Sequence, residues 1–181
     1  MNKLGTIATV SISVFALAVS AWQGYASREH NRLSVRPYVQ STPYLEGPNK
    51  RNGIYISNYG LGPAILNKAT INIDGTDHLL AKDIWEQAFK SIGIDDLCFS
   101  KSWIPRGSVI PINKEIHLIK LTSAESSRCL LEVAKFLSEH DLSLTLEYTS
   151  MYDEKITTKN NFNMKSFGRD LSRAIRSPEN N

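Results

Sequence analysis

Hydrophobic and polar positions change their spacing several times along this chain. The first regime is an unbroken run: Leu4 to Ser27 is 24 residues with no Asp, Glu, Lys or Arg, bounded by Lys3 and Arg28. As a helix it would rise about 36 Å, more than the roughly 30 Å of a bilayer's hydrocarbon core. The run therefore predicts a membrane anchor over residues 1–27. Trp22 and Tyr25 sit near its polar end, where amphipathic rings favour the headgroup level. Thr6, Thr9, Ser11, Ser13 and Ser20 temper its apolarity, although helix hydroxyls can bond back to their own carbonyls. A cleavable signal peptide is the alternative, with Met1 and Lys3 as its positive end and Val19, Ser20 and Ala21 before the cut. The run continues past Ala21 through Trp22, Gly24, Tyr25 and Ala26, which favours retention. Ala16, Ser20 and Gly24 recur every four residues and could bring two such helices together as a homodimer, although small residues are ordinary in membrane spans.

After a polar collar, residues 28–36, the spacing falls to two. Leu33, Val35, Pro37 and Val39 alternate with polar neighbours and predict an edge strand. Residues 46–53 are turn material before a strand at Ile54–Ser57. Asn58-Tyr59-Gly60-Leu61-Gly62-Pro63-Ala64 predicts a reversal, with glycines able to take positive φ. Ala69, Ile71 and Ile73 predict a strand closed by the hairpin pair Asp74-Gly75. Helical spacing then appears at Lys82–Ile92, stopped by Gly93. Extended segments at Leu97–Phe99 and Trp103–Ile104, a turn at Pro105–Gly107 and a short apolar link at Val109–Ile112 follow. Glu115–Leu121 is apolar on both alternations, as in a strand buried on both faces. Thr122–Glu125 has the form of a capping box, opening a helix through Leu130, Val133, Ala134 and Leu137 that ends near His140. Leu142, Leu144, Leu146 and Tyr148 give the clearest strand, with Tyr152–Thr158 pairing back on it. From Lys159 the chain reads as a loosely ordered polar tail. A short helix is expected near Phe167–Arg176, whose Lys165, Arg169, Arg173 and Arg176 could meet an anionic lipid surface or simply cover the domain.

The pattern predicts a mainly β domain with two short helices behind an N-terminal transmembrane helix. Its parts are an anchor (1–27), a basic juxtamembrane collar (28–36), a β-sandwich (37–160) and a polar basic tail (161–181). About 150 residues outside the anchor suffice for one domain core. Ile71, Ile116, Leu144 and Leu146 are the expected centre of that core.

Composition changes this picture little. A net charge of +3 and a pI near 8.8 are too mild, and too dispersed, to suggest nucleic-acid binding. Arg28, Arg32 and Arg36 outnumber Lys3 across the run, which favours a cytoplasmic domain. Cys98 and Cys129 have no zinc-like spacing. They read as buried free thiols in a cytoplasmic domain, or as one disulfide in an exported one. Candidate chemistry is sparse. Gly60 and Gly62 match no phosphate-loop spacing, and Gly107-Ser108 lacks the context of a nucleophile elbow. Asp74, Asp77 and His78 could ligate a metal, but a solvated hairpin end needs none. Asp95-Asp96 and Asp153-Glu154 read as solvated turn carboxylates, and the four histidines are scattered. No catalytic, cofactor-binding or metal-binding residue is assigned, and no cofactor is expected.

The stretch Ile54 to Ala64, with Leu142–Tyr148 later, resembles the strand, N-x-G-x-G-P-A, strand signature of immunoglobulin-like sandwich domains in bacterial surface and membrane proteins. The collar Arg28–Pro37 is similar to that of uncharacterised bacterial single-span membrane proteins that carry such a domain directly after the helix. The resemblance implies an immunoglobulin-like β-sandwich held in the bacterial inner membrane by one span. It carries no catalytic residue. The expected role is a membrane-anchored, non-catalytic protein-interaction module, touching lipid through the N-terminal helix and an unidentified protein partner through the domain. The alternatives are a structural or accessory subunit of a membrane complex, and a hydrolase with an unrecognised site.

Overall fold

The structure is a computed structural model that describes residues 3–46, 50–81, 84–122, 127–162 and 164. The uncharged run is helical, as its length requires, but the helix α1 spans Lys3–Ser34 and carries the collar with it. Over Gly5–Ser34 it is long and apolar enough to cross a membrane, and none of its most apolar stretch is buried in the protein. Thr9, Ser13 and Ser20 donate their hydroxyls to the carbonyls four residues back, at 2.8–2.9 Å. The expected strand from Leu33 is thus displaced. The Glu29–Arg32 pair at 2.9 Å supports another turn of helix, and the chain becomes extended only past the buried Pro37.

Among the described residues nine strands follow, all paired antiparallel. One sheet holds β1 (Val39–Leu45), β2 (Asn52–Asn58), β7 (Glu115–Leu121) and β5 (Phe99–Lys101), in the order β1-β2-β7-β5. The other holds β4 (Thr76–Leu79), β3 (Ala64–Ile73), β8 (Leu142–Thr149) and β9 (Lys155–Phe162), in the order β4-β3-β8-β9, with β6 (Val109–Ile110) also on β3. Two helices are inserted, α2 (Ile84–Ser91) and α3 (Ser127–Glu139). With α1 that makes three α-helices among the described residues, and Asp96–Cys98 adds one turn of 3-10 helix. The Asp74-Gly75 hairpin forms as its residues dictate, both taking positive φ.

The core lies between the sheets. Ile71, Leu144 and Leu146 are fully buried, whereas Ile116 is only half-buried. A bulge between β2 and β7 at Ile54/Tyr55 turns Leu118 and Ile119 both inward, and these take the central position expected of Ile116. A second bulge after Leu66 resets the alternation of β3, so that Ala64 and Leu66 on one side of it and Ala69, Ile71 and Ile73 on the other all face inward. At one end of the sandwich α2, α3 and β5 bring Trp85, Phe89, Phe99 and Phe136 together, with Phe89 centred 4.9 Å from Phe99 and 5.2 Å from Phe136. Cys98 and Cys129 form a disulfide beside this cluster, so the reading as free thiols is corrected. Closing a loop across a separation of 31 residues restricts the unfolded chain by roughly 3–4 kcal/mol.

The edges of both sheets are blunted. β5 and β4 are short, β1 carries Pro43, and β9 exposes Lys155 and Lys159. Contrary to the expected loose tail, Lys159–Phe162 is paired strand, opposite Leu142–Thr145. Most of the Thr122–Glu125 box and all of the Phe167–Arg176 segment lie outside the described residues.

Candidate interaction surface

Strand alternation decides which side chains of the β1-β2-β7 sheet face outward. Val39 and Ser41 are buried, so Gln40, Thr42 and Tyr44 point away from the core; Ile54 and Ile56 are buried, so Tyr55 does too, opposite His117. Tyr44 and Tyr55 meet edge to face, their rings 5.5 Å apart and 74° inclined. Arg51, at the base of the β1–β2 hairpin, lies over the Tyr44 ring with its Cζ 3.9 Å from the centroid. It also reaches Glu46 at 2.8 Å and Glu115 at 3.3 Å. The guanidinium is thereby fixed between two strands and an aromatic face.

Electrostatics follows the packing. Burial, then the nearness of Tyr59 and Glu115, raises the Tyr44 phenol above the ordinary tyrosine range against the opposing charge of Arg51. Burial and Glu115 raise Tyr55 likewise. The hydrogen bond from Arg51 holds Glu46 below the usual carboxylate range, and Glu46 in turn raises Arg51. Tyr59 and Tyr38, which are largely exposed, extend this surface toward the collar. Tyrosine and arginine in such concentration are the side chains that dominate protein–protein contacts. Held in place beforehand, they lose little freedom on binding.

Beside this surface, Ser102 Oγ lies 2.8 Å from Nε2 of His117. Burial and the charge of Lys120 lower the His117 pKa, so the ring is neutral at pH 7. Two cavities among the described residues, of about 310 and 410 Å³, are not lined by this pair. Several of the other sequence candidates have structural partners. Asp74 accepts from the Asp141 amide at 2.8 Å and pairs with His140 Nδ1 at 2.6 Å, while Asp77 accepts from Asn72 at 2.6 Å. No group of three His, Cys, Asp or Glu among the described residues is placed to hold a metal ion. Asp95 pairs with Arg128 at 2.6 Å and Glu154 with Arg36 at 3.7 Å. The Ser108 carbonyl accepts from Leu66 as part of the packing of that loop on β3.

The glycine loop has a different basis from the one its sequence suggests. Among the described residues the glycines with positive φ are Gly53, Gly75, Gly93 and Gly107, and not Gly60 or Gly62. A Cβ on Gly62 would collide with the Val35 carbonyl, and one on Gly60 with the backbone of Arg36–Tyr38. Close approach to the collar requires glycine at both positions. Asn58 completes the loop: its fully buried side chain accepts from the Tyr38 and Gly60 amides and donates to the Gly62 and Ile110 carbonyls.

Sequence reasoning singled out neither Arg51 nor the tyrosines. Their signal was available in part, since Tyr44 and Tyr55 occupy the outward phase of their strands, but the hairpin that puts Arg51 over Tyr44 is a matter of register. Comparison with family models, curated proteins and solved structures finds no match to the chain.

Proposed function

We propose that this chain is a membrane-anchored, non-catalytic module that binds a protein partner through the outer face of β1-β2-β7. The observation that carries the reading is the preorganised group of Tyr44, Tyr55, Tyr59 and Arg51 on an otherwise polar strand surface. In this reading α1 is the single bilayer span and lipid is its partner. The domain itself is immunoglobulin-like. Lettering β1 to β5 as A, B, C, C′ and D, and β7 to β9 as E, F and G, makes the sheets A-B-E-D and C′-C-F-G, an order found in that fold. The disulfide departs from the pattern, joining the turn before D to the helix between E and F rather than strand B to strand F. Its presence supports a domain on the oxidising side of the membrane, against the preference set by the collar arginines.

A photo-crosslinking residue introduced in living cells tests the surface. Placed at Tyr55 or Tyr59 it should yield one discrete adduct, and at Thr157 on β9 none. Arg51→Ala should abolish the adduct from Tyr55 while leaving the folded protein in the membrane. Equal adducts from all three positions, or none from Tyr55 and Tyr59, would remove this face as the binding surface.

A further inference from the structure

The register places one end of each of β1, β2, β3, β7, β8 and β9 near the collar, at one end of the sandwich. Val39 opens β1 opposite Asn58, Ser57 faces Glu115, Ala64 faces Ile110, and Thr149 faces Lys155. That end exposes several apolar side chains: Leu61 is 69% exposed and Met151 64%, and Val109, Ile112 and Tyr152 accompany them. These five come from three separate stretches of chain, so no single turn accounts for them. Large apolar groups gathered at one end of a domain mark a contact surface.

We propose that this end of the sandwich rests on the phospholipid headgroup layer of the membrane that α1 enters, with Leu61, Ile112 and Met151 at the contact. The inference rests on α1 being a membrane anchor. Two observations choose lipid over a protein as the occupant.

The first is the length of the tether. Between Ser27 and the buried Pro37 only nine residues intervene, and the first seven are helical. Those seven rise about 10 Å, against a headgroup layer of about 5–7 Å on each side. A helix tilt near the average of about 20° lowers one side of the domain further.

The second is the stiffness of the junction. The Tyr59 amide donates to Tyr38 at 2.8 Å and the Leu61 amide to Arg36 at 3.2 Å, while Gly60 and Gly62 press their backbones on residues 35–38. The loop bearing Leu61 is thus fastened to the end of the helix itself, and no free linker separates domain from bilayer.

Methyl-labelled full-length protein in nanodiscs of phosphatidylcholine and phosphatidylglycerol tests the proposal through Overhauser contacts from lipid protons. Methyls of Leu61, Ile112 and Met151 should show contacts several-fold stronger than those of Leu131, which is exposed on α3. Ile12 and Leu17 in α1 report the anchor in the same spectrum. Contacts at Ile12 and Leu17 without contacts at the three loop residues would overturn the docking and leave the anchor intact. No contact at Ile12 and Leu17 would overturn the anchor, and the docking with it. Contacts of equal strength at Leu131 would show indiscriminate adsorption and also overturn the proposal.

Discussion

Replacing Asn58 by alanine deletes one side chain that holds four backbone groups from three different stretches of chain. Its Oδ1 accepts from Tyr38 at 3.2 Å and Gly60 at 3.0 Å, and its Nδ2 donates to Gly62 at 2.9 Å and Ile110 at 3.0 Å. A typical hydrogen bond contributes about 0.5–1.5 kcal/mol net, and a buried group left without a partner costs about 1–3 kcal/mol. Four such bonds, with some water admitted to the vacated space, give an expected loss of about 3–5 kcal/mol. That is a large share of the roughly 5–15 kcal/mol available to a domain. Asn58→Asp is the sharper variant, because it keeps the size and the acceptor but turns the donor into a carboxylate oxygen facing the Gly62 and Ile110 carbonyls. Burial against those carbonyls raises the folded-state pKa of the new carboxyl above its unfolded value of about 3.9. The protonated form, which can still donate once, is then favoured by the folded state. Stability of this variant is greatest below about pH 4 and falls as pH rises toward the folded pKa. Urea midpoints of the full-length protein in micelles, followed by near-ultraviolet circular dichroism from pH 3.5 to 7, measure both variants. A loss under about 1 kcal/mol for Asn58→Ala, or an Asn58→Asp variant with the same pH dependence as the parent, would refute the reasoning.

Reducing the Cys98–Cys129 disulfide should lower stability by roughly 3–4 kcal/mol, read as a shift of the urea midpoint with and without reductant; an unchanged midpoint would mean that the bond contributes nothing. In native membranes the same cysteines should resist maleimide until reduced, and immediate labelling would place free thiols there instead. Gly62→Ala should cost about 2 kcal/mol or more because its Cβ meets the Val35 carbonyl, and thermal unfolding of the variant in micelles tests this. Burial raises the phenols of Tyr44, Tyr55 and Tyr148, so the folded chain retains protons that the unfolded chain has lost. Stability should therefore fall as pH climbs through about 10. Absorbance at alkaline pH should show these tyrosines ionising late, and ionisation of all tyrosines in a single ordinary step would contradict it.

Elements whose signal is local were legible in the chain. Leu142–Tyr148 alternates without interruption and is β8; Asp74-Gly75 permits few conformations besides the hairpin it forms; Gly93, with φ of 69°, ends α2 where helical spacing stops. The misjudged positions share a different cause, namely a partner far away in sequence. Leu33 and Val35 alternate like a strand, yet they follow 30 residues of established helix, and adding a turn to a helix is easier than starting a strand. Lys159–Phe162 is polar enough for a tail, but its backbone completes the edge of β8. Ile116 loses the centre of the core to Leu118 and Ile119 through a bulge, which one strand's alternation cannot reveal. The tyrosine and arginine surface is of the same kind, since it exists only once β1 and β2 are paired in register with Tyr44 opposite Gly53.

Two signals bearing on sidedness point opposite ways, and their physical weights differ. The arginine count compares Arg28, Arg32 and Arg36 with Lys3, a small margin, and two of the three arginines are engaged by carboxylates: Arg32 with Glu29 at 2.9 Å and Arg36 with Glu154 at 3.7 Å. Retention of positive charge acts statistically during insertion and depends on only a few residues. A disulfide forms and persists in an oxidising compartment and is rare where thiols are kept reduced. Here it also has a mechanical function, because Cys129 on α3 and Cys98 before β5 tie together the two segments that carry Phe136 and Phe99 around Phe89. Without the bond, the same aromatic cluster would have to hold α3 by packing alone, against the unfolded-chain freedom that the bond removes. The proposal of an exported domain follows from that asymmetry: Glu29 and Glu154 engage Arg32 and Arg36 on whichever side the domain lies, whereas a disulfide is characteristic of the oxidising side.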